Sequence, residues 1–344
     1  MFVNSSCAVI SKARSKYGKR ITDKDYKALI KCNDVAGVVN YLKNHTHYSD
    51  ALSKINSTEV HRGQLETLIK QKNFYDFDSL CRYEMSEGSP FSDFIVRKYE
   101  IEQLVHFLLL LSCNKVEEYI YKLPTYFDKH THIDLYKLSM CRDFDSFINA
   151  LGKSEYRKLL LPFAPDKNGI IDIAGAENAM NIYSYKELYE AISKRKSKKE
   201  KENLRILCDS VNDFCNISRV LRMKKYYDMT PQQIMSHLLP YGSIKTSKLE
   251  EMCNAKNIDD VFEIISTTRV GKRIKHMDID KEEQMSFLNR YNMCKKQLYY
   301  SQDPAVVLLS YMYISEAELK NIITIIEGVR YQSPKDMIES LLIR

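Results

Sequence analysis

The sequence predicts an all-α protein organised as three similar helical units, and three observations carry that expectation. The 344 residues include only 10 Gly and 8 Pro, which leaves few tight turns. Apolar residues recur at helical spacing, as in Leu319, Ile322, Ile323, Ile325, Ile326 and Val329. Two residue patterns alternate three times in one order, which divides the chain into 1–125, 126–240 and 241–344. Units of that size suit small domains.

The first pattern runs Cys32, Asp34, Val38, Leu42, Tyr48, Leu52 and returns as Cys141, Asp143, Phe147, Leu151, Tyr156, Leu160. A weaker copy runs Ala255, Asn257, Val261, Ile265, Val270, Ile274. The second pattern is an acid, an amide three residues on and an aliphatic residue next to it: Glu100, Gln103, Leu104; Asp213, Asn216, Ile217; Glu318, Asn321, Ile322. The starting residues of the first pattern lie 109 and 114 residues apart, and the amides of the second 113 and 105 apart. Amphipathic helices of any origin can be aligned, but two patterns interleaved three times at near-constant spacing make coincidence the weaker reading. The period exceeds that of short solenoid repeats, so each unit reads as a small helical domain.

In the first unit Thr22 is the expected cap of a helix over 22–45, with Asp25 three residues on as the capping-box partner. Further helices are expected over 58–85 and 92–122, separated by a turn at Ser86 to Pro90. In the second, helices are expected over 132–162 and 177–194. Leu161 to Ala176 reads as the longest non-helical segment, with a short extended piece from Ile170 to Ile173. A long helix continues through Leu204 and Val211. Pro240 and Gly242 mark the start of the third unit, where Asp278 and Asp280 precede a helix through Phe287, Tyr291 and Leu298. The last stripe is expected to end near Gly328. Ser333 as N-cap and Pro334 in the first turn then open a short helix that buries Met337, Ile338, Leu341 and Leu342.

The net charge of +7 resides mostly in one place. Lys194, Arg195, Lys196, Lys198, Lys199 and Lys201 face a single Glu200, so the rest of the chain is close to neutral and offers no general basic surface. The run holds no aromatic residue, which disfavours a single-strand stacking site. It reads as a solvated loop or first helical turn, with contact to an acidic partner or anionic headgroups as the second reading. The nine cysteines are odd in number and scattered without a CxxC pair, as in a reduced protein whose cysteines act as small hydrophobes. The N-terminus lacks a signal-peptide core, and the longest apolar run, Leu104 to Leu111, is too short to span a membrane.

Chemical motifs are sparse. Gly271-Lys272 lacks the upstream glycine of a P-loop, and neither GxGxxG nor GxSxG occurs. Two HxH pairs, His45-Thr46-His47 and His130-Thr131-His132, have no further ligands at metal-site spacing and read as surface or helix-end histidines. Adjacent acids such as Glu250-Glu251 point about 100° apart on a helix and suit a solvated face. No catalytic residue, metal site or cofactor site is expected. The recurring acid and amide, Glu100 with Gln103, Asp213 with Asn216 and Glu318 with Asn321, share a helix face among apolar neighbours. They are the candidates for a structural clamp between units, against the plainer reading of a solvated polar face.

At ELKNIITIIEG followed by SPKDMIESLL, the sequence resembles the C-type rotor protein of rotary V/A-type ATPases, the equivalent of the d component of the vacuolar enzyme. NISRVLR, LLPYGSIKTSKLEEM and ARSKYGKRITDKDYKALIKC resemble the same family, so the likeness covers nearly the whole chain. The first unit departs from it by carrying Gln103 where later copies carry asparagine. The resemblance implies a funnel of three units about a pseudo-threefold axis, without catalytic activity. It would cap the proteolipid ring on the cytoplasmic face, one copy per complex, receive the central shaft of D- and F-type subunits, and couple ion flow to ATP turnover. A helical scaffold binding nucleic acid through residues 194–201 is the first alternative, and a helical enzyme the second.

Overall fold

A computed structural model of the chain describes residues 2–56, 62–83, 89–227, 229–273 and 282–344. Among them all regular structure is helical. The first part of the chain forms α1 (Phe2–Gly18), α2 (Asp23–Ile30), α3 (Val35–His45), α4 (Ser49–Leu52) and α5 (Arg62–Tyr83). Next come α6 (Ser89–Ser112), α7 (Leu135–Met140), α8 (Phe144–Ala150), α9 (Glu155–Leu160), α10 (Ile173–Lys194) and α11 (Lys198–Tyr226). The remainder forms α12 (Pro231–Ser236), α13 (Thr246–Asn254), α14 (Ile258–Thr267), α15 (Glu282–Tyr300), α16 (Pro304–Arg330) and α17 (Lys335–Ser340).

Several expected helices are shorter because a capping residue starts a new one. The stretch 22–45 divides into α2 and α3, since Asp34 accepts from the Gly37 N–H at 2.7 Å and opens a fresh N-terminus. Asp143 does the same for α8 through the Ser146 N–H at 2.7 Å, and Asn257 for α14 through the Asp260 N–H at 2.8 Å. These three caps occupy one position of the first repeated pattern. Together with Gly152 at φ 59°, the cap at Asp143 breaks the expected 132–162 helix into α7, α8 and α9. The expected 92–122 helix stops at Ser112, where Asn114 takes φ 54°, and continues as a 3-10 turn over Val116–Lys122. Thr22 and Asp25 form the capping box expected of them.

Residues 170–173 form no strand. Asp172 accepts from the Gly175 N–H at 2.9 Å and starts α10 at Ile173, four residues earlier than expected. Thr230 caps α12 with Pro231 in its first turn, the arrangement also expected of Ser333 and Pro334. There, however, Pro334 itself is the cap residue and α17 begins at Lys335. Gly328 does not end α16 either. The helix runs two residues further and closes with Gln332 at φ 54°, the Ser333 N–H reaching the Gly328 carbonyl at 2.8 Å. Glycine is needed at 328 because Ile338 of α17 lies 2.5 Å from where a Cβ would sit. The expected turn at 86–90 and the acids Asp278 and Asp280 fall largely or wholly outside the described residues.

The chain divides into two compact units. The first comprises 1–88, 202–218 and 270–344. In it α16 packs on α15, α1 and α5, and its apolar face joins α2, α3 and α17 in one core of Leu29, Val38, Leu42, Ile322, Ile325 and Ile338, among others. The second comprises 89–201 and 219–269, with α6 packed along α10. Its core includes Phe107 stacked on Phe147, ring centroids 4.9 Å apart. No helix among the described residues is long and apolar enough to cross a membrane.

Candidate functional site: two buried carboxylates

In the first unit the long helix α16 carries Glu318 to the start of α2 and the turn between α3 and α4. Its carboxylate accepts from the Ile21 N–H at 2.8 Å and the Tyr48 hydroxyl at 2.8 Å, and lies 2.7 Å from His47 Nε2. Tyr48 is fully buried. Burial alone would raise the Glu318 carboxyl, but the bonds from His47, the Ile21 backbone and Tyr48 outweigh it and hold it below the usual range. The same burial, with the Glu318 charge nearby, pushes the Tyr48 hydroxyl well up, so it stays a neutral donor.

In the second unit α6 carries Glu100 in the same way. Its carboxylate accepts from the His132 N–H, the Thr131 hydroxyl at 2.8 Å and the Tyr156 hydroxyl at 2.8 Å, with His132 Nδ1 at 3.2 Å. Burial opposes ionisation, yet the bonds from His132, Tyr156 and Thr131 again lower this carboxyl overall. The bond to Glu100 in turn raises the His132 imidazole.

The two sites share a backbone N–H just before a helix, a tyrosine hydroxyl and a histidine. Tyr48 and Tyr156 occupy one position of the first repeated pattern; the third copy has Val270 there and lacks the hydroxyl. The histidines come from different places, His47 ahead of α4 and His132 ahead of α7. Both are the second histidine of an HxH pair. His47 sits just past the end of α3, as expected of a helix-end histidine, but is only 15% exposed in its side chain, whereas that of His132 is 54% exposed.

The amides differ. Asn321 is buried and donates through Nδ2 to the Tyr26 hydroxyl at 3.1 Å and the Ile343 carbonyl at 2.8 Å, while its Oδ1 accepts from the Ile343 N–H at 2.7 Å. It thereby pins the chain after α17 to α16 and α2. Gln103 is also buried, but its Oε1 has no partner among the described residues. Asp213 and Asn216 lie buried in α11. In the second unit Asn178 and Arg219, which the sequence did not single out, do related work. Arg219 Nη1 reaches Asn178 Oδ1 at 2.7 Å and the His237 carbonyl at 2.6 Å, and Asn178 Nδ2 reaches the Ser236 carbonyl at 3.1 Å.

The basic run spans the turn between α10 and α11. Lys194, Lys196, Lys198 and Lys199 are exposed and Lys201 half-buried. Arg195 departs from the solvated reading: it is 8% exposed, lies over the Phe91 ring at 5.0 Å and faces Glu200 at 3.6 Å. Ser197 caps α11 through the Glu200 N–H.

All nine cysteines are free, and Cys32 and Cys141 donate to carbonyls one turn back. Among the described residues no group of three or more His, Cys, Asp or Glu is placed to hold a metal ion.

These features define an all-helical protein whose buried acids hold chain segments together. The chain from 9 to 341 matches the model of the ATP synthase (C/AC39) subunit, and the protein belongs to that family. It is also similar to the C component of the A-type ATP synthase of Methanosphaera stadtmanae, at 22% identity over 97% of this chain and 86% of that protein.

Proposed function

We propose that the chain is a non-catalytic rotor linker of a V/A-type ATPase or ATP synthase, joining the central shaft to the membrane proteolipid ring and transmitting torque. The observation that carries this reading is the family match along nearly the whole chain. Torque transfer asks for a body that does not yield, and closely packed helices braced by buried, saturated carboxylates suit that task. The three units 1–125, 126–240 and 241–344, arranged about a pseudo-threefold axis as a funnel, belong to the same proposal. The three equivalent caps at Asp34, Asp143 and Asn257 support it. Within it, Glu100 reaches from one unit to Thr131, His132 and Tyr156 of the next, and Glu318 reaches back to the first, which gives the recurring acids and amides a clamp role. The partners are D- and F-type shaft subunits and the ring, on the cytoplasmic face. The exposed lysines of the basic run are candidate partner or headgroup contacts. The nucleic-acid reading weakens because Arg195 is engaged with Phe91 and Glu200.

Purification of the tagged chain from its native membranes tests the proposal. Recovery of shaft subunits and proteolipid in fixed proportion is the expected result. Recovery of the chain with nucleic acid and without either partner would overturn it.

A further inference from the structure

The surroundings of the two carboxylates differ sharply in size. Beside Glu318, the space among Lys16, Tyr17, Arg20, His47, Asn73 and Tyr311 is about 20 Å³, room for about one water molecule. Beside Glu100 lies a cavity of about 530 Å³ walled by Arg97, His132, Lys153, Ser154, Tyr156 and Tyr183. All of these belong to the second unit. A volume of a few hundred Å³ is typical of small-molecule sites.

The charges in this wall are unequally engaged. Its acids are occupied: Glu100 accepts the bonds described above, Asp134 caps α7 and lies 3.0 Å from Lys137 Nζ, and Glu155 lies 2.8 Å from Lys158 Nζ. Its donors are less so. Arg97, with its side chain 15% exposed, faces Glu187 at 3.6 Å, longer than a charged hydrogen bond, and otherwise meets the neutral Tyr183 side chain, whose ring lies 5.8 Å away and whose hydroxyl it also engages, so its charge has no close carboxylate. Lys153 is exposed and makes no ion pair among the described residues. Ser154 precedes α9 without capping it, and its hydroxyl is buried without a partner among the described residues. His132 engages Glu100 through Nδ1 and has no hydrogen bond at Nε2 among the described residues.

We propose that this cavity binds a phosphate-bearing anion, with Arg97 and Lys153 supplying the charge and Ser154 and His132 further donors. Donors from four separate positions suit a tetrahedral oxyanion better than a planar carboxylate, which one bidentate guanidinium matches best. The cavity is larger than one phosphate needs, so a phosphate monoester fits the same chemistry.

Isothermal titration of the purified full chain at fixed ionic strength tests this, with inorganic phosphate, glycerol 3-phosphate, adenosine monophosphate and acetate in separate arms. Saturable one-to-one binding of a phosphate compound, tighter than acetate, is expected, and the tightest arm identifies the source. Arg97→Gln should weaken binding about tenfold or more, the loss of a charge-assisted hydrogen bond, and Lys153→Gln several-fold. Lys256→Gln, exposed just before α14 and outside the cavity wall, should leave it unchanged. Lys153 is exposed, so its variant remains informative if Arg97→Gln fails to fold. Heats no larger than those with chloride, acetate binding as tightly as phosphate, or unchanged affinity in Lys153→Gln would each overturn the proposal.

Discussion

Glu318 and Glu100 are held by the same kinds of donor, but they join very different lengths of chain. Glu318 ties α16 to residues 270 to 297 positions earlier. Glu100 ties α6 to residues 31 to 56 positions later. Ordering a longer loop costs only slightly more, so distance along the chain does not by itself separate them. Their surroundings do: one carboxylate has space for about one water beside it, the other borders a 530 Å³ cavity. The tyrosine recurs at an equivalent position of the first repeated pattern; the histidine does not, and the backbone amide comes from Ile21 in one site and from His132 itself in the other. The carboxylate is thus the fixed part of the brace, and the segment that supplies the histidine can change.

The largest effect follows from emptying the tighter site. Glu318→Ala leaves His47, Tyr48 and the Ile21 N–H without an acceptor and should cost about 3–5 kcal/mol in urea unfolding. Glu100→Ala should cost less, about 1–3 kcal/mol, because water can enter from the cavity and satisfy the abandoned donors. Equal losses would show that the cavity does not relieve the second site.

Acid should act on both. Each carboxyl is lowered in the folded state, so its contribution is complete above the unfolded value of about 4.3 and disappears as pH falls through the folded value. Glu318→Gln and Glu100→Gln should therefore flatten the loss of stability below that point. His132 has the opposite sign: it is raised, so its contribution is complete below about 6.5 and is lost as pH rises through its folded value. Only Glu100→Gln should remove this upper dependence, a difference that pH-dependent urea midpoints resolve.

The amides sharpen the same comparison. Asn321→Ala should cost about 1–3 kcal/mol because it abandons both polar groups of Ile343, and Asn216→Ala should behave alike if the clamp is shared. Gln103→Met should be close to neutral, since its buried oxygen already lacks a partner among the described residues.

Much of this was legible in the sequence. The repeated acid and amide marked positions that are buried or, at Glu318, nearly so, while Tyr48 and Tyr156 stood in the other pattern with nothing to tie them to the acids. What local pattern could not show was that His47 and His132 reach those acids, because they occupy different places in their units and meet them only through the fold. Helix boundaries were misread wherever a cap interrupts continuous apolar spacing, as at Asp34 and Asp143. Gly328 looked like a terminator because its actual constraint, Ile338 of α17, comes from another helix. Arg195 looked solvated for the same reason: Phe91 is about a hundred positions away in sequence.

The basic run should give the smallest effects. Replacing Lys194, Lys196, Lys198, Lys199 and Lys201 by glutamine should change stability by no more than about 0.5 kcal/mol, whereas Arg195→Gln should cost about 1 kcal/mol through its lost contact with Phe91. Thermal melts of the two variants separate the packed cation from the solvated ones.

The bracing role of the carboxylates is tested most directly by a double-mutant cycle between Glu318→Gln and Tyr48→Phe, each of which preserves side-chain shape. A coupling of about 1 kcal/mol or more in urea unfolding is expected, since the two groups share a buried hydrogen bond at 2.8 Å. Losses that add to within about 0.3–0.5 kcal/mol would contradict it.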